Sequence, residues 1–148
     1  MEITYCNATA EDIEPIYILC RQLIDSYENL EAIDYPKVLQ WVRRKIEKSI
    51  DEYTVIEADG QKAGYFRFCQ NGDGLYEIDD LYVFPAFQNR GIGSAVIEKC
   101  CRSCRADVML YVFSKNTWAV SLYQRLGFEI VETVRNSRYI MKRKNSHL

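Results

Sequence analysis

Near the middle of the chain the run Gln88-Asn89-Arg90-Gly91-Ile92-Gly93-Ser94 lies between Pro85 and an apolar series that begins at Ile92. A helix starting there leaves its first amides without intrahelical acceptors, and its dipole adds partial positive charge. The N–H groups from Arg90 to Ser94 can then hold a phosphate. Gly91 and Gly93 place no Cβ between that backbone and a ligand, although a structural turn would use the same glycines. Just upstream, Glu77, Asp79 and Asp80 form an acidic group. Such a group attracts a cationic partner, or merely charges a strand against unwanted pairing.

Two familiar phosphate loops are excluded. The run has no Gly-Lys-Ser/Thr ending, and Gly91-x-Gly93-x-x-Val96 lacks the third glycine of the dinucleotide fingerprint and follows a meander instead of a first βαβ strand. Neither ATP nor NAD fits. Cys101 and Cys104 have the spacing of half a zinc site, but there is no matching second pair, and the one histidine, His147, sits in the tail. No metal is expected. On a helix Cys100 and Cys104 are one turn apart with Cys101 beside them, so the three read as small apolar residues on one face.

The elements that must position these groups follow from periodicity and punctuation. Glu2–Asn7 reads as a short strand. Thr9 then caps a helix whose apolar series is Ile13, Ile16, Tyr17, Cys20, Leu23, Ile24 and Tyr27. A second helix opens near Asp34 and Pro36, with Val38, Trp41, Val42, Ile46 and Ile50 as its buried positions. Strands at Tyr53–Ala58, Lys62–Gln70 and Leu75–Val83 are separated by Asp59-Gly60 and Asn71-Gly72-Asp73-Gly74, which predicts an antiparallel meander. A helix over Ile92–Cys104, a strand at Val108–Phe113, a helix over Thr117–Leu126 and strands at Phe128–Arg135 and Arg138–Lys142 complete the order. Alternation along the third meander strand puts Glu77 and Asp79 on one face and Asp80 on the other, unless a bulge resets the phase.

With 148 residues, 48% hydrophobic and 13% aromatic, the chain supports one core. One domain is expected over 1–144, with a solvated basic tail at 145–148. A net charge of -2 disfavours nucleic acid. The basic start and apolar run of a signal peptide are missing, as is any membrane-length apolar stretch, so a cytoplasmic protein with six free thiols is expected.

Gln88-Asn89-Arg90-Gly91-Ile92-Gly93 resembles the Gln/Arg-x-x-Gly-x-Gly/Ala signature of the GNAT acetyltransferase superfamily. Leu81-Tyr82-Val83-Phe84-Pro85 looks like that family's fourth strand and its proline exit, and Asn116-x-x-Ala119-x-x-x-Tyr123-x-x-x-Gly127-Phe128 resembles its second motif. The resemblance implies an α/β (α+β) fold: a mixed, mostly antiparallel sheet of about seven strands flanked by four helices, ordered β-α-α-β-β-β-α-β-α-β-β. It implies acetyl transfer from acetyl-coenzyme A, as co-substrate, to an amine of a small molecule or protein by direct attack in a ternary complex. The alternative is a sensor that binds acyl-coenzyme A without turnover.

By the same resemblance, amides of Arg90, Gly91, Ile92, Gly93 and Ser94, within the Gln88-Asn89 loop, hold the pyrophosphate. The main chain of Tyr82 and Val83 pairs with the pantetheine arm where the fourth and fifth strands splay, and a backbone N–H near Val83 faces the oxyanion. Asn116 contacts the same arm, besides being able to cap its helix. Tyr123 points at the thioester sulfur and protonates the thiolate. Because alkyl amines titrate near ~10.4, a base is needed; Glu77 stands at the family's position for one, and Asp79, Asp80 or a water chain are the alternatives. The carboxylates favour a cationic acceptor, and a homodimer is compatible with the sequence.

Overall fold

Seven strands and four α-helices alternate along the chain as β1 (Ile3–Asn7), α1 (Ile13–Tyr27), α2 (Tyr35–Ser49), β2 (Tyr53–Ala58), β3 (Gln61–Gln70), β4 (Tyr76–Val83), α3 (Ile92–Arg102), β5 (Val108–Phe113), α4 (Thr117–Arg125), β6 (Glu129–Val134) and β7 (Arg138–Arg143). This computed structural model describes residues 1–145; the expectations for His147 and the rest of 146–148 lie outside the described residues. The strands form one mixed sheet in the order β1-β2-β3-β4-β5-β7-β6. Every pairing is antiparallel except the parallel contact of β4 with β5.

The sheet separates two apolar clusters. On one face Ile16, Cys20 and Ile24 of α1 and Val42 and Ile46 of α2 pack on Tyr53, Val55 and Tyr65. On the other, Val96, Ile97 and Cys100 of α3 and Ala119 and Val120 of α4 pack on Ile56, Phe66, Ile78, Leu110 and Met141. Neighbours Val55 and Ile56 go to opposite clusters because successive strand side chains alternate. Ile16 and Ile46 are almost wholly shielded, and each such burial contributes about 1.5–3 kcal/mol.

Helix α2 starts as expected: the Asp34 side chain accepts from the Lys37 N–H at 3.3 Å, and a proline occupies the first turn. Its inward stripe differs from the expected one. Trp41 is 64% exposed, and Lys45, not counted among the buried positions, reaches the sheet instead. Asn145, assigned to the tail, is pinned to the body: its amide donates to the carbonyls of Cys101 and Cys104 at 2.7 Å, and its N–H to Asp107 at 2.9 Å. Cys100 and Cys101 are buried and Cys104 is half-buried, and among the described residues none of the three is in a disulfide.

Strand β4 is irregular in two ways that matter for the site. It pairs with β5 only at Tyr76–Val108 and Glu77–Met109, and beyond Glu77 the two strands part. Against β3 the register moves from Arg67–Asp79 to Tyr65–Tyr82, so β4 carries one extra residue opposite Phe66. Within this bulge Asp80 takes a left-handed φ of 51°. Ile78 and Leu81 both pack in the α3/α4 cluster, while Asp79 and Asp80 both reach Lys45 on the α2 side. The bulge therefore overrides simple alternation, and Asp80 shares a face with Asp79.

Candidate active site

The parting of β4 from β5 opens a cleft of about 1390 Å³ that runs from the start of α3 to the α1/α2 side of the sheet. Glu77, Asp79, Tyr82, Val83, Gln88, Asn89, Gly91, Ile92, Gly93, Ser94, Asn116 and Tyr123 all line it, so the fold gathers nearly every expected residue around one space. Arg90 is not on its wall; its guanidinium lies over the Phe87 ring at 5.7 Å.

At one end the chain leaves β4 through Phe84 and a turn of 3₁₀ helix at Pro85–Phe87. Asn89 and Gly91 then take left-handed φ of 63° and 80°, and α3 begins at Ile92. The first helix bond across this turn is Ala95 N–H to Gly91 C=O at 3.0 Å; the preceding amides of Ile92, Gly93 and Ser94 have no helical acceptor. A Cβ on Gly91 would meet nothing within 4 Å, and one on Gly93 would meet only Leu122 Cδ2 at 4.0 Å. The space before these amides is open, which suits a phosphate group. The Gln88 side chain donates to the Val83 carbonyl at 2.8 Å, tying the loop back to the strand.

The Phe84 N–H donates to Ala63 O at 2.8 Å. Because bonded and non-bonded pairs alternate along an antiparallel ladder, the N–H and C=O of Val83 point away from β3, into the splay. Tyr82 is in the opposite phase. Its carbonyl is the nearest atom to where a Cβ on Gly64 of β3 would stand, so its main chain faces β3 and not the cleft. The expectation that Tyr82 and Val83 serve alike thus narrows to Val83. Gly64 has its own reason: any side chain there would push Tyr82 and Val83 off the sheet.

Asn116 caps α4, its Oδ1 accepting from the Ala119 N–H at 3.3 Å, which leaves the amide NH2 free to meet a ligand. At the other end of α4, Gly127 (φ 93°) closes a Schellman turn, with Phe128 N–H to Tyr123 O at 3.0 Å and Gly127 N–H to Gln124 O at 3.1 Å. The Tyr123 and Phe128 rings meet edge-on with centroids 6.0 Å apart. The spacing Tyr123-x-x-x-Gly127-Phe128 is therefore the spacing of a helix stop and fixes the ring whatever the hydroxyl does. Burial pushes the Tyr123 phenol up to about 12.

The α1/α2 end of the cleft carries charge. Asp79 Oδ2 accepts from Lys45 at 2.5 Å and Arg67 at 3.1 Å; Arg67 also binds Glu52 at 2.9 Å. Asp80 Oδ2 accepts from the Tyr53 hydroxyl at 2.5 Å and from Lys45 at 3.3 Å. Burial, with Asp79 beside it, raises the Asp80 carboxyl above its usual value in spite of these donors. The Glu77 carboxyl is also raised, first by burial and then by Asp79. Among the described residues the Glu77 side chain makes no hydrogen bond or ion pair, so of the three carboxylates it alone is unencumbered. Lys45, Tyr53 and Arg67 were not anticipated from sequence. A lysine one turn after Val42, on the apolar stripe of α2, was the available signal. Arg67 opposite Asp79 becomes visible only once the β3–β4 register is known.

The profile of the Acetyltransferase (GNAT) family matches residues 13–128. An uncharacterised N-acetyltransferase from Methanocaldococcus jannaschii is 28% identical over 95% of this chain, which spans 66% of that protein. A mycothiol acetyltransferase from Mycolicibacterium gilvum is 38% identical over 52% of this chain, corresponding to 28% of its own length. The chain thus spans two thirds or less of these relatives. The crystal structure of PaiA N-acetyltransferase from Thermoplasma acidophilum, in complex with coenzyme A, aligns with a TM-score of 0.70 at 21% identity over 97% of this chain and 99% of that one. At that identity the likeness is one of fold. Because the family profile covers most of the sequence, from α1 through the Gly127-Phe128 turn, the chain belongs to the GNAT acetyltransferase family.

Proposed function

We propose that this protein transfers an acetyl group from acetyl-coenzyme A to the amine of a cationic acceptor, by direct attack within a ternary complex. The observation that carries the reading is the splay itself. Strands β4 and β5 part directly after Glu77, and the gap ends at a loop of unpaired amides with open space before Gly91 and Gly93. The coenzyme supplies the acetyl thioester; the rest is the work of this chain.

The amides at the start of α3 hold the pyrophosphate, and Val83 and the Asn116 amide group bind the arm that follows. Glu77, half-buried and unpaired, accepts the proton the acceptor must lose before its nitrogen can attack. As the C–N bond forms and the C–S bond breaks, the Val83 N–H faces the carbonyl oxygen and the Tyr123 hydroxyl meets the departing sulfur. Asp79 is the less available acceptor, because Lys45 and Arg67 already occupy its oxygen.

A cationic acceptor is supported by the wall it would meet. Lys45 and Arg67 are engaged by Asp79 and Asp80, and Arg125 and Arg138 also line the cleft, but the Glu77 side chain has no cation paired with it. The exposed rings of Trp41 and Trp118 border the same cleft, where an aromatic face can hold an ammonium. The test is a coenzyme A release assay over a panel of monoamines, diamines, amino acids and peptide amines. Amine-dependent release that is greatest with acceptors bearing a second positive charge is expected. Tight coenzyme A binding with no release for any amine would favour the sensor reading.

A further inference from the structure

The cleft owes its shape to the one extra residue in β4, and nothing in the proposed chemistry explains why Asp80 holds that place. Asp80 adopts the left-handed conformation that side-chain-bearing residues disfavour. Its carboxylate is anchored from two other elements at once: by the Tyr53 hydroxyl at the start of β2 and by Lys45 of α2, at 2.5 and 3.3 Å. Lys45 in turn bridges to Asp79, and Tyr53 is only 1% exposed, fixed in the α1/α2 cluster.

Without such an anchor β4 could pair with β3 in regular register. A one-residue slip turns every later side chain and every later N–H to the opposite side. Val83 would then face β3 and its carbonyl would be lost to Gln88, whose side chain holds the phosphate loop to the strand.

We propose that Lys45, Tyr53 and Asp80 form a clamp that sets the β4 bulge, and that they act as positioning residues fixing the relative placement of Glu77 and Val83, which flank the bulge. Its catalytic consequence rests on the acyltransferase reading; the clamp itself does not.

The test compares Asp80→Ala, Asp80→Gly, Asp80→Asn and Tyr53→Phe by amide hydrogen exchange over β4, coenzyme A binding by calorimetry, and turnover. Asp80→Ala loses both the anchor and the tolerance of positive φ, and should speed exchange from Leu81 to Val83 and weaken coenzyme A binding about tenfold. Asp80→Asn, which tolerates the left-handed region and still accepts from Tyr53, should recover most of both, whereas Asp80→Gly, which enters that region freely but has no side chain to anchor, should stay impaired. Tyr53→Phe keeps the buried ring and should shift both in the direction of Asp80→Ala, which decides the matter if that variant does not fold.

Wild-type exchange and binding in Asp80→Ala would overturn the clamp. So would wild-type behaviour of Asp80→Gly, since the bulge would then need only a residue that tolerates positive φ and no anchor. If the wild type releases no coenzyme A with any amine, the acyltransferase reading fails, while exchange over β4 still decides the clamp.

Discussion

Replacing Tyr123 with phenylalanine removes one hydroxyl and leaves the ring that packs edge-on against Phe128, so it separates chemistry from packing at a position that has both. The magnitude follows from the phenol's surroundings. Burial pushes its pKa up to about 12, whereas an alkyl thiol ordinarily titrates near ~8.5. Handing the phenolic proton over to a free thiolate is therefore uphill by roughly 3.5 pH units, or about 5 kcal/mol. On the proposed mechanism the hydroxyl keeps its proton and donates a hydrogen bond to the thiolate as it forms, with solvent supplying the proton later. A hydrogen bond to a charged acceptor is worth about 2–3 kcal/mol, so Tyr123→Phe should lower turnover roughly 30- to 150-fold. The thioester sulfur of the ground state is a poor acceptor, so the dissociation constant for acetyl-coenzyme A should stay within about threefold. Single-turnover kinetics at saturating amine, with donor affinity by calorimetry, measure both. Unchanged turnover would return Tyr123 to the role of a helix-stop residue, and a large loss of donor affinity at constant turnover would make it a binding residue.

Gly93→Val should leave the melting temperature of the free protein nearly unchanged, since the new side chain enters open space, yet abolish the thermal stabilisation by coenzyme A; a wild-type shift at equal ligand would refute the placement of the pyrophosphate. Glu77→Gln should lower turnover about 100-fold near neutrality and remove the acid limb of the pH–rate profile, so an unaltered profile excludes Glu77 as base. The same variant carries a stability signature. The folded-state carboxyl is raised by burial and Asp79, so folding favours its proton and stability falls as pH rises from the ordinary carboxylate range through the raised value. A permanently neutral glutamine escapes that loss, and Glu77→Gln should melt higher than wild type at pH 8 and equally at pH 4, as differential scanning would show.

What was legible in the sequence is what local chemistry dictates. The Asp34 cap, the glycine turns at Asp59-Gly60 and Asn71-Gly72-Asp73-Gly74, and the proline exit at Pro85 each specify backbone within a few residues, and each stands where expected. Element ends moved by only a residue or two, as frayed helix ends do; α3 stops at Arg102 where Cys104 was expected. The bulge was not legible. Asp80 fits an alternating strand as well as a bulged one, and the groups that select the bulge, Tyr53 and Lys45, lie 27 and 35 residues away. The exchange of Trp41 for Lys45 has a related cause. Both lie near the apolar stripe of α2, and only the carboxylates across the gap make the buried position hospitable to an ammonium.

The two ends of the cleft differ in kind, and that difference explains why the donor could be read from sequence and the acceptor could not. The end proposed for the donor presents main chain. Amides before Gly93 and the free edge of Val83 depend on turn and cap residues that sit next to one another in sequence, so a short motif encodes them. The acceptor end is a wall of side chains from α1, α2, β3, β4, β5, α4 and β7, whose charges are mutually compensated across sequence gaps set by register. Arg67 neutralises Asp79 only because β3 and β4 place them opposite each other. Of the three carboxylates of β4, the one left unpaired is Glu77, and this remainder is a property of the assembled sheet, not of any stretch of the chain. Changes that re-pair the wall, such as removing Arg67, therefore alter which carboxylate is free without touching the phosphate loop. A fold of this design can change acceptor while keeping its donor.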